Sequence, residues 1–219
     1  GADIFGVYRS DAGETPAMIT QCGRRFEGIQ ADLSCSDVAA SIVQKAVQTY
    51  GHIDILVNNA GIIRREDAIR FSEQDWDDVL NTNLKTLFFL SQEAAKHFIA
   101  QKSGRIINIA SMLSFQGGIR VPSYTAAKSG VKGLTMALAN EWAKDGVTVN
   151  AIAPGYMETN NTAALRADKD RNAAILERIP AGRWGTPDDL KGAVVFLASP
   201  AAAYVNGCTL AVDGGWLAR

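Results

Sequence analysis

The sequence predicts an α/β fold with a doubly wound parallel sheet between two helical layers, a three-layer αβα architecture. Three observations predict it: short apolar runs rich in β-branched residues, longer segments of helical periodicity, and alternation of the two along 219 residues. With 47% of residues hydrophobic, the chain suits one domain, residues 1–219, with a single sizeable core.

The predicted strands are Asp3–Val7, Phe26–Gln30, Ile53–Asn58, Gly104–Ile109, Val147–Ala153 and Thr209–Val212. A helix over Ser36–Tyr50 opens on a Ser-Asp pair able to cap free amides, repeats Val38, Ile42, Ala46 and Val47 at helical spacing, and stops at Gly51. Leu84–Gln101 and Ser123–Lys144 are predicted as long helices with broad apolar stripes. Shorter helices are predicted over Trp76–Asn81, Thr162–Arg178 and Pro187–Ala198, the last with a proline just inside its start.

Lys and Arg number 22 against 23 Asp and Glu, a formal net charge of -1, so no basic field exists to gather nucleic acid. Cys22, Cys35 and Cys208 lack paired spacing and are expected to be reduced, structural thiols. No apolar run reaches membrane-spanning length and no secretion signal opens the chain, so a cytoplasmic protein is expected. His52 and His97 form no metal set, and no metal is expected.

The chemistry-bearing residues begin with Tyr124 and Lys128, four apart in the run Tyr124-Thr125-Ala126-Ala127-Lys128. On a helix they share one face, and a nearby ammonium favours the phenolate of a tyrosine that otherwise titrates near about pH 10. A partly exposed Tyr and Lys on an amphipathic helix would look the same. Ser111 ends the strand-like run Ile106–Ala110, at the strand end where open α/β sheets collect active groups, and its hydroxyl could hold a substrate oxygen. Ser114, three residues on, reads as a solvent-facing turn serine. Asn58-Asn59-Ala60-Gly61 closes another strand with a flat turn that either admits a ligand or is only a turn. Asn83 stands where a helix begins or kinks.

Together these segments resemble the short-chain dehydrogenase/reductase family from Gly1 to Arg219. The ordered elements are Asp32-Leu33 after that family's third strand, Asn58–Gly61, Asn83, Ser111, Tyr124 with Lys128, Pro154-Gly155, and the closing run Val205–Gly215. The resemblance implies a Rossmann-like sheet in which Gly1–Val7 is the second strand. A first strand, a glycine-rich turn and a first helix, roughly 30 residues, are then expected ahead of it, and they have no counterpart in these residues. It also implies a catalytic tetrad of Asn83, Ser111, Tyr124 and Lys128. Ser111 would polarise the carbonyl, Tyr124 would transfer the proton, and Lys128 would lower the Tyr pKa and bind the nicotinamide ribose. Asn83 would hold a water linking Lys128 to solvent.

The implied cofactor contacts are Arg9, Asp32 and Leu33 toward the adenosine end, Asn59, Ala60 and Gly61 along a ribose, and Pro154, Gly155, Met157 and Thr159 beside the nicotinamide, with Tyr124 and Lys128. Arg9 ends the first strand, where an arginine can pair with the extra phosphate of NADP, or it is a solvated loop residue. A closer resemblance to the family's sugar-acid members runs through Gly61–Ala68, Ser111–Tyr124 and Ile179–Gly185. It implies NAD as cofactor, with NADP as the second candidate, and a keto-deoxy-gluconate substrate from uronate or pectin breakdown. Arg64 and Arg120 are candidate carboxylate clamps, each equally readable as half of an ion pair, and Gln116 and Met157 are candidates for the pocket wall. A 3-oxoacyl-type carbonyl reductase and a non-catalytic subunit are the alternatives. The two long helices offer more apolar surface than one sheet covers, so a dimer or tetramer is expected, a homotetramer first.

Overall fold

The computed structural model describes residues 1–219. Six strands form: β1 (Ile4–Tyr8), β2 (Phe26–Gln30), β3 (Ile55–Asn58), β4 (Gly104–Ile109), β5 (Val147–Pro154) and β6 (Thr209–Val212). Every pairing is parallel, as the alternation of strand and helix requires. The expected single sheet is two. β1 pairs with β2 alone, and β3-β4-β5-β6 form a separate sheet whose β3 edge has no partner, leaving Ile55 and Val57 exposed.

Eight helices connect the strands: α1 (Thr15–Gln21), α2 (Val38–Tyr50), α3 (Glu73–Leu80), α4 (Thr86–Ala100), α5 (Pro122–Trp142), α6 (Ala163–Ala167), α7 (Lys169–Arg178) and α8 (Lys191–Ala198). Period-two alternation sorts the strand residues between the helical layers. Ile106, Val147 and Val149 pack with Phe98 of α4 and Leu138 and Trp142 of α5, whereas Ile107 and Ile152 face Leu197 of α8. A third cluster, Ala39, Ile42 and Val43 of α2 with Leu90 of α4, also takes in Val7 and Ile29 and so ties the two sheets together.

The helices depart from the sequence reading where local chemistry overrides periodicity. Helix α1 carries no buried residue, so it shows no apolar stripe; its only signal is Pro16 in the first turn. Helix α2 starts at Val38, and Ser36 and Asp37 supply no side-chain cap; Ala39 N–H bonds the Ser36 carbonyl instead. Gly51 does end it, at φ 85°. The stretch Thr162–Arg178 breaks at Asp168, whose Oδ1 accepts from the amides of Asp170 and Arg171 and opens α7. Pro187–Ala198 divides into a 3₁₀ turn, Pro187–Leu190, and α8.

Phe98 is fully buried at the centre of the largest cluster. Phe98→Ala should lower unfolding free energy by about 3–5 kcal/mol in urea titrations at an unchanged slope; a loss of about 1 kcal/mol or less would mean that the cluster does not bear the α4–sheet contact.

Candidate active site

Because all strands are parallel, their carboxyl ends share one edge, and nearly every site candidate lies there. Ser111 follows β4 in extended backbone, and its Oγ accepts from Leu113 N–H at 3.1 Å. With that lone pair engaged, the hydroxyl proton is free to point outward as a donor. Tyr124 lies in the first turn of α5 and Lys128 one turn on, with Nζ 5.6 Å from the Tyr124 ring centre.

Burial pushes the Tyr124 phenol up, opposed by the Ser111 hydroxyl and by the positive charge of Arg65. Lys128 is buried, and desolvation alone pushes it down to about 8. It has no carboxylate partner, and its Nζ donates to the Ile109 carbonyl at 2.5 Å. One of three donors is used, which leaves two for a ligand.

Asn83 is also at the site, and its side chain holds the backbone of Ile62. Its Oδ1 accepts from Ile62 N–H and its Nδ2 donates to Ile62 O, both at 2.8 Å. The amide therefore clamps the chain after Asn58–Gly61 and keeps one lone pair and one N–H for a further partner. It lies in a π-helical turn, Asn81–Lys85, that joins α3 to α4. A Cβ on Gly61 would stand 3.4 Å from Asn83 Oδ1 and 3.8 Å from Lys128 Nζ, so the turn after β3 passes directly over the buried lysine.

Ser114 is buried, not solvent-facing, and its Oγ donates to the Lys128 backbone carbonyl at 2.6 Å. Neither predicted carboxylate clamp is free. Arg64 pairs with Asp75 at 3.1 Å and Asp78 at 3.2 Å, and Arg120 pairs with Asp67 at 3.1 Å and Glu66 at 3.5 Å. Arg64 ties its loop to α3 and Arg120 ties loop to loop, and Arg120 adopts a left-handed backbone, φ 63°, with its carbonyl accepting from Glu66 N–H. Arg65, which sequence reasoning passed over for its neighbour, bonds only the Asn161 carbonyl, at 3.1 Å, and its charge reaches the Tyr124 phenol. Gln116 Oε1 accepts from Arg178, whose guanidinium stacks 4.0 Å over Trp216.

The cofactor candidates follow the strand ends. Arg9 comes after β1 and Asp32 after β2; Ser34 N–H holds the Asp32 carboxyl below its ordinary range, and Arg9 adds its charge. Leu33 packs on the α2 cluster, while Asn59, Ala60 and Gly61 are exposed after β3. Pro154 ends β5, and Gly155 lies so close to Asp213 that a Cβ would come within 2.6 Å of its Cα. Met157 bridges to Gly185 and is buried, and Thr159 opens the turn Asn160–Thr162. A small cavity between Tyr156, Met157, Arg183 and Val212–Gly214 adjoins this segment and is not lined by Tyr124. Sequence reasoning missed the buried polar row beneath the site, in which Asn58 Nδ2 bonds Ser91 and Asn108, and Asn108 bonds Thr135. Its signal was an asparagine inside the apolar run Ile106–Ile109.

A lysine whose folded pKa is near 8 instead of 10.5 destabilises the fold while charged. The penalty is full below pH 8 and fades as pH rises toward 10.5, because there the unfolded chain holds the proton that the folded one has lost. Lys128→Met should therefore be more stable than the parent at pH 7, by at most about 3 kcal/mol less roughly 1 kcal/mol for the freed Ile109 carbonyl. Denaturant titrations at several pH values should show that advantage shrinking through pH 8–10; a constant difference would contradict it.

A family model described as Enoyl-(Acyl carrier protein) reductase matches residues 1–217. The 2-dehydro-3-deoxy-D-gluconate 5-dehydrogenase of Escherichia coli (strain K12) is 66% identical over 220 residues, which cover 100% of this chain and 87% of that protein. The protein of the same name in Bacillus subtilis (strain 168) is 54% identical over 224 residues, 100% of this chain and 86% of that one. The crystal structure of a gluconate 5-dehydrogenase from Burkholderia cenocepacia J2315 in complex with NADP and tartrate superposes with a TM-score of 0.95 at 37% identity, covering 100% of this chain and 87% of that one. With its parallel Rossmann-like α/β architecture, the chain belongs to the short-chain dehydrogenase/reductase family.

Proposed function

We propose that this protein is an NAD(P)-dependent oxidoreductase that interconverts a secondary hydroxyl and a ketone on a sugar acid, with 2-dehydro-3-deoxy-D-gluconate as the expected substrate. One observation carries the reading: a buried lysine without a carboxylate partner lies one helical turn from a buried phenol whose ring centre is 5.6 Å from its Nζ, beside the Ser111 hydroxyl. The two remaining Lys128 donors fit a vicinal diol such as a nicotinamide ribose, and the exposed Asn59–Gly61 turn leaves backbone open beside them. A bound nicotinamide dinucleotide supplies the hydride acceptor or donor. Arg9 beside Asp32 offers both a cation for a 2′-phosphate and a carboxylate for ribose hydroxyls, and the NADP in the Burkholderia relative favours acceptance of the phosphorylated form.

Within this reading Ser111, its lone pair held by Leu113, donates to the substrate oxygen. Tyr124 gives that oxygen a proton during reduction and removes one during oxidation. Asn83 positions the Ile62 backbone over Lys128, and Arg65, not Arg64 or Arg120, takes the substrate carboxylate. Arg65 acts electrostatically on the phenol yet has no acid of its own, as a sugar acid with both groups on one short carbon chain requires. The sugar-acid relatives support a role in uronate breakdown, and exposed Phe115 and Met136 support association into a tetramer. No helix is long and apolar enough to cross a membrane, and we place the protein in the cytoplasm.

Turnover of 2-dehydro-3-deoxy-D-gluconate with NAD and with NADP, beside a 3-oxoacyl thioester, tests the substrate; activity on the thioester alone would reverse the assignment. Tyr124→Phe should cost about 10²–10⁴ in kcat. Because the phenol is pushed up, oxidation should climb from neutral pH into the alkaline range while reduction stays flat through neutrality. Arg65→Met should raise the sugar-acid KM about 10–100-fold, the worth of a charged hydrogen bond, whereas Arg64→Met and Arg120→Met should change it only about twofold. A larger effect at Arg120 would return the carboxylate to that residue.

A further inference from the structure

We infer that Ser114 is a positioning residue for this site, holding Ser111 in register with Lys128 through a buried hydrogen bond; the inference rests on the oxidoreductase reading above. Ser114 closes the 3₁₀ turn Met112–Ser114 that follows Ser111, and its amide bonds the Ser111 carbonyl at 2.9 Å. Its Oγ donates at 2.6 Å to the backbone carbonyl of Lys128, inside α5. A carbonyl in a continuous helix already accepts the amide four residues on, so Ser114 uses the second lone pair. The bond contributes nothing to the helix itself. What it joins is the turn bearing Ser111 to the helix bearing Tyr124 and Lys128.

Lys128 holds the same segment from its other end. Its Nζ bonds the carbonyl of Ile109, so the stretch from Ile109 to Ser114, with Ser111 inside it, is tied at both ends to one lysine. The two ties differ in permanence. A ligand diol competes with Ile109 for the ammonium, but nothing in the site competes with Ser114 for the backbone carbonyl. When Lys128 turns to a ligand, the short Ser114 bond, beside a longer one of 3.4 Å from Ser129 Oγ to the Leu113 carbonyl, keeps the Ser111 hydroxyl and the Tyr124 phenol on a common oxygen. Displacements of about 1 Å in such a pair cost orders of magnitude in rate.

Ser114→Ala, Ser114→Cys and Ser114→Thr are compared with the parent by steady-state kinetics, thermal unfolding and amide exchange. Alanine removes the donor, cysteine keeps the size with a weak one, and threonine restores the hydroxyl. Ala and Cys should lower kcat about tenfold or more with both KM values within about twofold, and Thr should recover most of the loss. Exchange at Leu113, whose N–H is held by Ser111 Oγ, should accelerate in Ala and Cys relative to the α5 core amide of Val131. That readout needs no turnover, so an inactive parent would overturn the functional reading while leaving this inference open to exchange. Unchanged Leu113 exchange, an unchanged kcat in Ala and Cys, a loss that follows only the unfolded fraction, or failure of both variants to fold would overturn it.

Discussion

The site depends on one energetically costly arrangement, an ammonium buried against the carboxyl end of a parallel sheet with no carboxylate to neutralise it. Uncompensated burial of a lysine opposes folding, and here the chain answers it with a single backbone carbonyl, that of Ile109. Everything near Lys128 can be understood as accommodating that choice. Asn83 spends both ends of its amide on Ile62 so that the turn after β3 lies over the lysine, and Ser114 pins the lysine's own backbone. Apolar alternation in β4 and β5 supplies the rigid floor, with Asn108 and Thr135 as its buried polar seam.

Burial acts on Tyr124 and Lys128 beside the proximity that sequence spacing gives them. Four-residue spacing puts Tyr124 and Lys128 on one helix face, which invites the idea that the ammonium acidifies the phenol. In the folded chain both groups are desolvated, so each moves toward its neutral form: the phenol up, the ammonium down. The positive charge of Arg65, in the loop after the Asn58–Gly61 turn, also reaches the phenol.

The strands were legible because strand signals are local: β2, β4 and β6 match the sequence reading residue for residue, and β1, β3 and β5 differ only at their ends, whereas the division into two sheets was not. Helix α1 was not, since a helix that buries nothing carries no periodic stripe, and the break at Asp168 was hidden because a capping side chain leaves hydropathy unchanged. At the site, residue types and order placed Ser111, Tyr124, Lys128 and Asn83 near one another, but not their hydrogen-bond partners. The distinction between Arg64 and Arg65 rests on which carboxylates face each guanidinium, and Asp75 and Asp78 reach Arg64 only once α3 has packed. Ser114 looked like a turn serine because its partner, the Lys128 carbonyl, lies fourteen residues away on another element.

The most direct measurement of the central claim is the titration of the Lys128 side chain itself, followed by NMR of isotopically labelled lysine with Lys128→Met to assign the signal. The account predicts a midpoint near 8, set apart from the surface lysines. A midpoint at the ordinary 10.5 would show the ammonium to be hydrated and would contradict the buried, unneutralised lysine on which the site is built.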